Sequence, residues 1–192
     1  MRTAFSWRLA VLVSGGVAVA ACQAGRGRVV SPADVAAQHS WVLVDGVPFV
    51  RQHAERDCGA AALAMVLRYW GVAVDERSLA AALPAPGERG LRASELRELA
   101  RARGLDAFLI KGEPADLRGE IERRRPLIVG LARPSGRAAI GHYEVVIGFD
   151  HTRRRILTLD PAAGFRDSSV EEFATEWAGA QQLALVVFRR GP

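Results

Sequence analysis

The chain has 192 residues, enough for one domain of ordinary size. It is 49% hydrophobic and 24% charged, a globular composition that excludes a disordered, collagen-like or disulfide-scaffold protein. Its two cysteines exclude an all-cysteine zinc site, and its mild net charge of +5, with neither zinc-finger spacing nor a basic stripe, predicts no nucleic-acid partner.

The first 21 residues have the pattern of an export signal. Arg2 and Arg8 precede an apolar run over residues 9–21, which is too short to span a bilayer, since that takes about 20 residues. The run ends in Val-Ala-Ala before Cys22, and this ending resembles the lipobox of bacterial lipoproteins, whose cysteine is acylated. The alternative is an ordinary signal peptide followed by an incidental cysteine.

The lipoprotein interpretation predicts where the protein resides. Residues 1–21 would be removed, Cys22 would carry the lipid, palmitate included, and residues 22–40 would form a polar tether. The lipid would anchor the protein in the bacterial cell envelope. Gln23, in place of the aspartate that marks retention at the inner membrane, favours the outer membrane facing the periplasm. There Cys58 would be an unpaired thiol in an oxidising compartment, and therefore a candidate reactive cysteine.

Two elements are predicted at the start of the domain, which we place at residues 41–192. Residues 41–50 read as a β-hairpin with Asp45-Gly46 as its turn. From Asp57 to residue 70 the sequence predicts a helix that is apolar almost all round, with Asp57 as its N-cap. A helix of this kind is expected in the middle of a core.

The remaining elements favour an α+β fold. Helices are predicted over 75–83, 93–103, 114–125 and 170–177, and strands over 105–111, 127–132, 142–150, 155–160 and 182–189. Because helices come first and a mostly antiparallel sheet follows, the order argues against a doubly wound α/β fold. The loops at 84–90 and 133–140 are expected to line the substrate pocket.

Cys58 is the first candidate for chemistry. It follows the cap position of the predicted buried helix, where unpaired backbone amides and the helix dipole favour a thiolate. Gly59 and Ala60 leave its sulfur unobstructed. The alternative is a small buried hydrophobic residue, which is the commonest role of a free cysteine.

A thiolate nucleophile needs an imidazole beside it, and His142 is the best placed of the four histidines. His142 opens an apolar strand and so has a rigid mount. His39 lies in the predicted tether, His151 lies in a turn, and His53 lies on a loop near the cysteine that offers no rigid support.

A carboxylate is needed to orient the imidazole, and Asp160 is the candidate. A turn near residues 151–152 would set His142 opposite the end of the next strand, where Asp160 lies. Asp150 is less favoured because it lies beside that turn on the same strand as the histidine. The alternative is that Asp160, before Pro161, only terminates a strand.

Gln52, six residues before Cys58, completes the candidate set. Its side-chain amide and the backbone N–H of Cys58 could together hold an oxyanion. The order glutamine, cysteine, histidine, aspartate makes a chance occurrence of all four improbable.

These residues resemble the peptidase C39 family over residues 49–188. The motifs that carry the resemblance are Gln52, Cys58-Gly59 through Tyr69-Trp70-Gly71, Gly141-His142-Tyr143 through Asp150, Asp160-Pro161-Ala162 with Gly164, and Phe173 with Trp177 and Gly179. The resemblance implies a papain-like cysteine peptidase fold, in which a nucleophile helix packs on an antiparallel β-sheet.

The same resemblance implies the roles of the site residues. Cys58 is expected to be the nucleophile, His142 the base, Asp160 its orienter and Gln52 the oxyanion donor, with a peptide or protein substrate and no metal or organic cofactor. The best-known members cut double-glycine leaders within peptide exporters, whereas this chain looks more like the stand-alone C39-like proteins. A papain-like acyl or peptidyl transferase and a non-catalytic peptide-binding or assembly module are the alternative functions.

Overall fold

A computed structural model describes residues 27–83, 91–135 and 138–190. The predicted signal peptide, its Cys22 lipidation site and the loop at 84–90 lie outside the described residues. The strands are β1 (Arg28–Val29), β2 (Val42–Leu43), β3 (Asp106–Lys111), β4 (Leu127–Ser135), β5 (Ala138–Asp150), β6 (Arg155–Asp160), β7 (Gly164–Ser169) and β8 (Leu183–Phe188). The helices are α1 (Pro32–Ala36), α2 (Cys58–Tyr69), α3 (Glu76–Ala82), α4 (Ala93–Ala102), α5 (Pro114–Glu122) and α6 (Val170–Gly179). None of these described helices has the length and hydrophobicity to cross a membrane.

The strands form one sheet in the order β1-β7-β6-β5-β4-β8-β3, with β2 added against β5. Every strand pairing in the described part of the chain is antiparallel. The predicted α+β class is therefore confirmed.

Helix α2 lies at the centre of the core, as its sequence predicts. The side chains from Ala60 to Leu67 are fully buried. Helices α3 and α4 and strand β5 all pack against α2. This cover on every side explains why the helix carries apolar residues almost all round its surface.

The sheet is covered on its other face by α5 and α6. Side chains alternate between the two faces of a strand, and on β5 Val145 and Ile147 join the cluster around α2, whereas Val146 joins a second apolar cluster. That second cluster includes Phe173 and Trp177 of α6. The two helical layers therefore fix both faces of the strands that carry the candidate site.

The predicted hairpin at residues 41–50 is wrong. Val42 and Leu43 pair with β5, and residues 47–50 form no strand. The pairing depends on Gly148 of β5, where an added Cβ would lie 2.5 Å from a Leu43 methyl group and 3.0 Å from the carbonyl oxygen of Val42. A glycine on a distant strand thus allows β2 to approach its partner, which no local turn signal reveals.

The segment before residue 40 is also more ordered than a tether. Arg28–Val29 pairs with β7, and Ser31 caps α1 by accepting a hydrogen bond from the backbone N–H of Asp34. Val35 is buried in the main core. The prediction of a tether is therefore wrong for these residues, because elements of two and five residues leave no periodic pattern.

Two further differences affect the site. The segment at 133–140 is predicted as a loop, but its described residues extend strands β4 and β5, and residues 136–137 lie outside the described part of the chain. Strand β7 was not predicted because its sequence is polar. Its Arg166 is buried nevertheless, since it forms ion pairs inside the protein.

Candidate active site

Cys58 is the first residue of α2 and is only 6% exposed. Asp57 occupies the N-cap position, but its side chain makes no capping hydrogen bond. Instead Asp57 Oδ2 accepts from the backbone N–H of Ala54 at 3.1 Å. The predicted capping role is therefore wrong, and the N–H groups of the first turn beside the thiol are not taken by that carboxylate.

The structure brings Cys58, His142 and Asp160 together. Nε2 of His142 lies 2.8 Å from Oδ1 of Asp160, and the same imidazole is hydrogen-bonded to the side chain of Cys58. Because Nε2 faces the carboxylate, Nδ1 is the ring nitrogen left to face the thiol. The His142 side chain is 11% exposed, so the contact is largely shielded from water.

Strand register places the histidine and the aspartate. Val145 of β5 lies opposite Leu159 of β6, and one further step along the ladder sets Glu144 opposite Asp160. His142 is then the diagonal neighbour of Asp160, a separation that long side chains can bridge. A bulge between Val146 and Gly148 shifts the register by one residue and so produces this arrangement.

The pKa values of the pair move in opposite directions. Burial alone would lower the pKa of His142, but hydrogen bonds to Asp160 and Cys58, and the negative charges of these groups, raise it to about 9. Burial opposes ionisation of Asp160, yet the imidazolium, the backbone N–H of Ala162 and the guanidinium of Arg133 lower its pKa to about 2. At neutral pH the pair is therefore an imidazolium and a carboxylate.

Gln52 lies at the same site with its amide turned away. Gln52, Glu55, Arg133, Pro134, Ile140, His142, Asp160 and Ala162 line one pocket of about 270 Å³. The Gln52 Nε2 atom donates to the carbonyl oxygens of Ala54 and Glu55, at 3.0 and 3.3 Å. Its Oε1 is buried with no hydrogen-bond partner among the described residues.

The other candidates from the sequence have different surroundings. Asp150 is bonded to Ser40 and Arg153. His53 pairs with Glu76 at 3.1 Å, and the ring of His151 lies against Phe149. None of these contacts connects them to the thiol of Cys58.

Tyr143 is a neighbour of the thiol that sequence reasoning missed. Its hydroxyl donates to the carbonyl oxygen of Leu91 at 3.1 Å. Burial first, and then the charges of Cys58 and Glu95, raise the pKa of Tyr143 to about 12. A Cβ on Gly59 would lie 3.2 Å from the Tyr143 ring, so the glycine after the cysteine allows this close packing.

Arg133 and Glu144 were also missed, and they bear on metal binding. His142, Glu144 and Asp160 place ligand-type atoms within 4.8 Å of one another. However, the Arg133 guanidinium bonds to Glu144 and, at 2.9 Å, to Asp160. A cation already contacts both carboxylates, so this group does not fit a metal ion. A charged Glu144 within an apolar strand was the available signal for a buried ion pair.

Comparison with known proteins gives a consistent family and fold. The sequence profile of the peptidase C39 family matches residues 46–189. The structure is similar to the peptidase domain of Streptococcus ComA, a bi-functional ABC transporter involved in a quorum sensing pathway (26% identity, TM-score 0.62, 76% of this chain and 100% of that one). No curated protein sequence matches the chain.

Two more solved structures support the fold. One is a double glycine motif protease from an AMS/PCAT transporter, in complex with the leader peptide (26% identity, TM-score 0.60, 76% of this chain and 93% of that one). The other is assigned as a C39-like peptidase from Bacillus anthracis (20% identity, TM-score 0.65, 79% and 99%). The predicted papain-like fold, with a buried helix on an antiparallel sheet, is confirmed.

Proposed function

The chain belongs to the peptidase C39 family, and we propose that it is a cysteine peptidase that cleaves peptide bonds through an acyl-enzyme on Cys58. One observation carries this proposal. The Cys58 side chain and the Asp160 carboxylate both bond to the imidazole of His142, at the N-terminal end of a buried helix. A thiol, an imidazole and an orienting carboxylate are the groups that nucleophilic catalysis requires.

In the acylation step, the Cys58 thiolate attacks the carbonyl carbon of the scissile bond. The backbone N–H of Cys58, which has no partner within the helix, and the amide of Gln52 stabilise the oxyanion. As the C–N bond breaks, the imidazolium of His142 donates its proton to the leaving amine. The resting imidazolium expected from a pKa of about 9 supplies this proton.

In the deacylation step, the neutral imidazole takes a proton from water, and the resulting hydroxide attacks the thioester. Cys58 leaves as a thiolate, which restores the starting thiolate and imidazolium. Asp160, with its pKa of about 2, stays ionised throughout and holds the ring.

Gln52 must reorient to act as proposed. Its amide now donates to two carbonyl groups of its own loop. A buried acceptor without a partner costs about 1–3 kcal/mol, and Oε1 of Gln52 is in that state. A rotation that exposes Oε1 to water would remove this cost and so offset part of the loss of the two hydrogen bonds.

The substrate class we propose is a peptide or protein. The related double glycine motif protease was solved in complex with the leader peptide, so that relative binds a peptide. The pocket beside His142 and Gln52 would receive the residues next to the scissile bond here.

We also propose that the protein is a lipoprotein of the cell envelope, anchored through Cys22 with the domain facing the periplasm. The apolar run over residues 9–21 and the small residues before Cys22 support this placement. In that location the protein would hydrolyse peptides of the cell envelope or exported peptides.

Cleavage of a peptide library tests the function. We expect the reduced protein at neutral pH to produce fragment pairs whose summed mass exceeds the parent peptide by one water, as read by mass spectrometry. Products joined to an added amine acceptor would instead show a transferase. Peptide binding with no new termini would contradict catalysis and favour a binding module.

A further inference from the structure

A cluster of four charged side chains adjoins the candidate site, with one member lining the pocket and three buried beneath it. It consists of Arg133 of β4, Glu144 of β5, Arg166 of β7 and Glu176 of α6, and we call these four the charge cluster. Arg166 is 1% exposed, Glu144 is fully buried and Glu176 is 7% exposed. Four charges in such surroundings persist only when each has a partner.

The contacts within the charge cluster provide those partners. Nη2 of Arg166 lies 2.8 Å from both carboxylate oxygens of Glu176, and its Nη1 lies 3.5 Å from both oxygens of Glu144. Arg133 bonds to Glu144, and its Nε lies 3.6 Å from Oε2 of Glu176. Each guanidinium thus contacts both glutamates, and the cluster is neutral as a whole.

Arg133 connects this cluster to the site. It donates to Oδ2 of Asp160 at 2.9 Å. The other oxygen, Oδ1, accepts from the backbone N–H of Ala162 at 2.8 Å and faces Nε2 of His142. The Asp160 carboxylate is therefore held from both sides, and only Oδ1 is directed at the imidazole.

We propose that Arg133 is a positioning residue of this site. By bonding to both Asp160 and Glu144, its guanidinium offsets the negative charge of the carboxylates around His142, so that the imidazolium can release its proton to the leaving amine. This inference rests on the proposed peptidase function. Arg133 acts through Asp160 and touches no reacting atom in the mechanism above.

The charge count gives the direction of the effect. The charged and titratable groups facing the His142–Asp160 pair are Cys58 of α2, Glu55 of the loop before it, Arg133 and Glu144, with Arg166 and Glu176 behind. If Arg133 is removed, three carboxylates remain with only the guanidinium of Arg166 to balance them. These carboxylates belong to Asp160, Glu144 and Glu176. The excess negative charge would raise the pKa of His142 further above 9 and make the imidazolium a weaker acid.

An NMR titration of His142 tests the proposal directly. The ring resonance would be followed against pH in the full chain, with the signal assigned by its loss in His142→Ala. We expect Arg133→Met to move the His142 midpoint up by about one pH unit. The double variant Arg133→Met/Glu144→Gln removes one charge of each sign, and we expect it to return the midpoint toward that of the parent.

Further variants complete the design. Arg133→Lys keeps the charge, so its midpoint should stay within about 0.3 units of the parent. If Arg133→Met does not fold, Arg133→Gln removes the same charge with a polar side chain and should raise the midpoint likewise. Arg118→Met makes the same change at an exposed arginine of α5 and should move nothing.

The results separate the inference from the function on which it rests. A midpoint that is unchanged or lowered in Arg133→Met, or one that Glu144→Gln does not reverse, would overturn the role of Arg133. A shifted midpoint in Arg133→Lys would do the same. If parent His142 titrates as an isolated imidazole near pH 6.5, the proposed function itself fails.

Discussion

Replacement of Cys58 by alanine is expected to abolish peptide cleavage and to leave the fold intact. The proposed acyl-enzyme forms on the sulfur, so no covalent route remains without it. By analogy with the loss of other nucleophiles, kcat/KM should fall on the order of 10⁴-fold or more. Cys58 is a small side chain at a buried helix end, and alanine fits the same space. The rate is measured on a peptide identified from the library, and the fold by circular dichroism.

A Cys58→Ser variant is the matched control for this prediction. Serine keeps a hydroxyl at the same position, but a hydroxyl is far less readily ionised than a thiol, so we expect serine to be inactive as well. Both variants should still bind the peptide, since alanine only removes the sulfur atom and serine only replaces it with oxygen. Full cleavage by the alanine variant would rule out Cys58 as the nucleophile.

Replacement of Asp160 by asparagine is expected to lower the rate of cleavage and to move the upper pH limit of activity to lower pH. In the parent, kcat/KM should fall as pH rises through about 9, because the His142 imidazolium then loses its proton. Asp160 contributes a hydrogen bond and a negative charge that raise the pKa of His142. Without that charge the alkaline limb should move to lower pH, and the rate should fall on the order of 10²–10⁴-fold.

Asp106→Asn is a suitable control, since Asp106 pairs with the exposed Arg190 at the far edge strand β3. In this control variant, kcat/KM should fall at the same alkaline pH as in the parent protein. An unchanged limb in Asp160→Asn would show that the carboxylate does not act on the imidazole.

The same shifts predict how the pair stabilises the fold with pH. His142 has a raised pKa, so its contribution is complete below pH about 6.5 and is lost as pH rises through about 9. Asp160 has a lowered pKa, so its contribution is present above pH about 3.9 and is lost as pH falls through about 2. The pair therefore stabilises the fold most between pH about 3.9 and pH about 6.5, the ordinary pKa values of the two groups.

The parts of the fold that the sequence predicted are those with a long periodic pattern. Helix α2 was predicted because apolar side chains surround most of its twelve-residue length, which only a central position satisfies. The prediction of a hairpin at residues 41–50 is wrong because strand pairing depends on residues that are distant in the sequence. Gly148, 105 positions after Leu43 in the sequence, allows β2 to approach β5.

The site was predicted in part for a similar reason. Cys58 at a helix start and His142 on a strand have local signatures, and Asp160 follows from the length of the turn between two strands. The placement of Arg133 and Arg166 could not be predicted. Arg133 of β4 and Arg166 of β7 meet Glu144 of β5 and Glu176 of α6 only because the sheet brings these strands together under α6.

The most direct test of the central claim, that Cys58 reacts as a thiolate paired with His142, is alkylation by iodoacetamide against pH, with His142→Ala alongside. We expect the parent to be alkylated rapidly at pH 6 and the variant slowly, because the imidazolium favours the thiolate at that pH. Equal, slow rates in both proteins, rising together only toward alkaline pH, would contradict the pairing and with it the proposed peptidase mechanism.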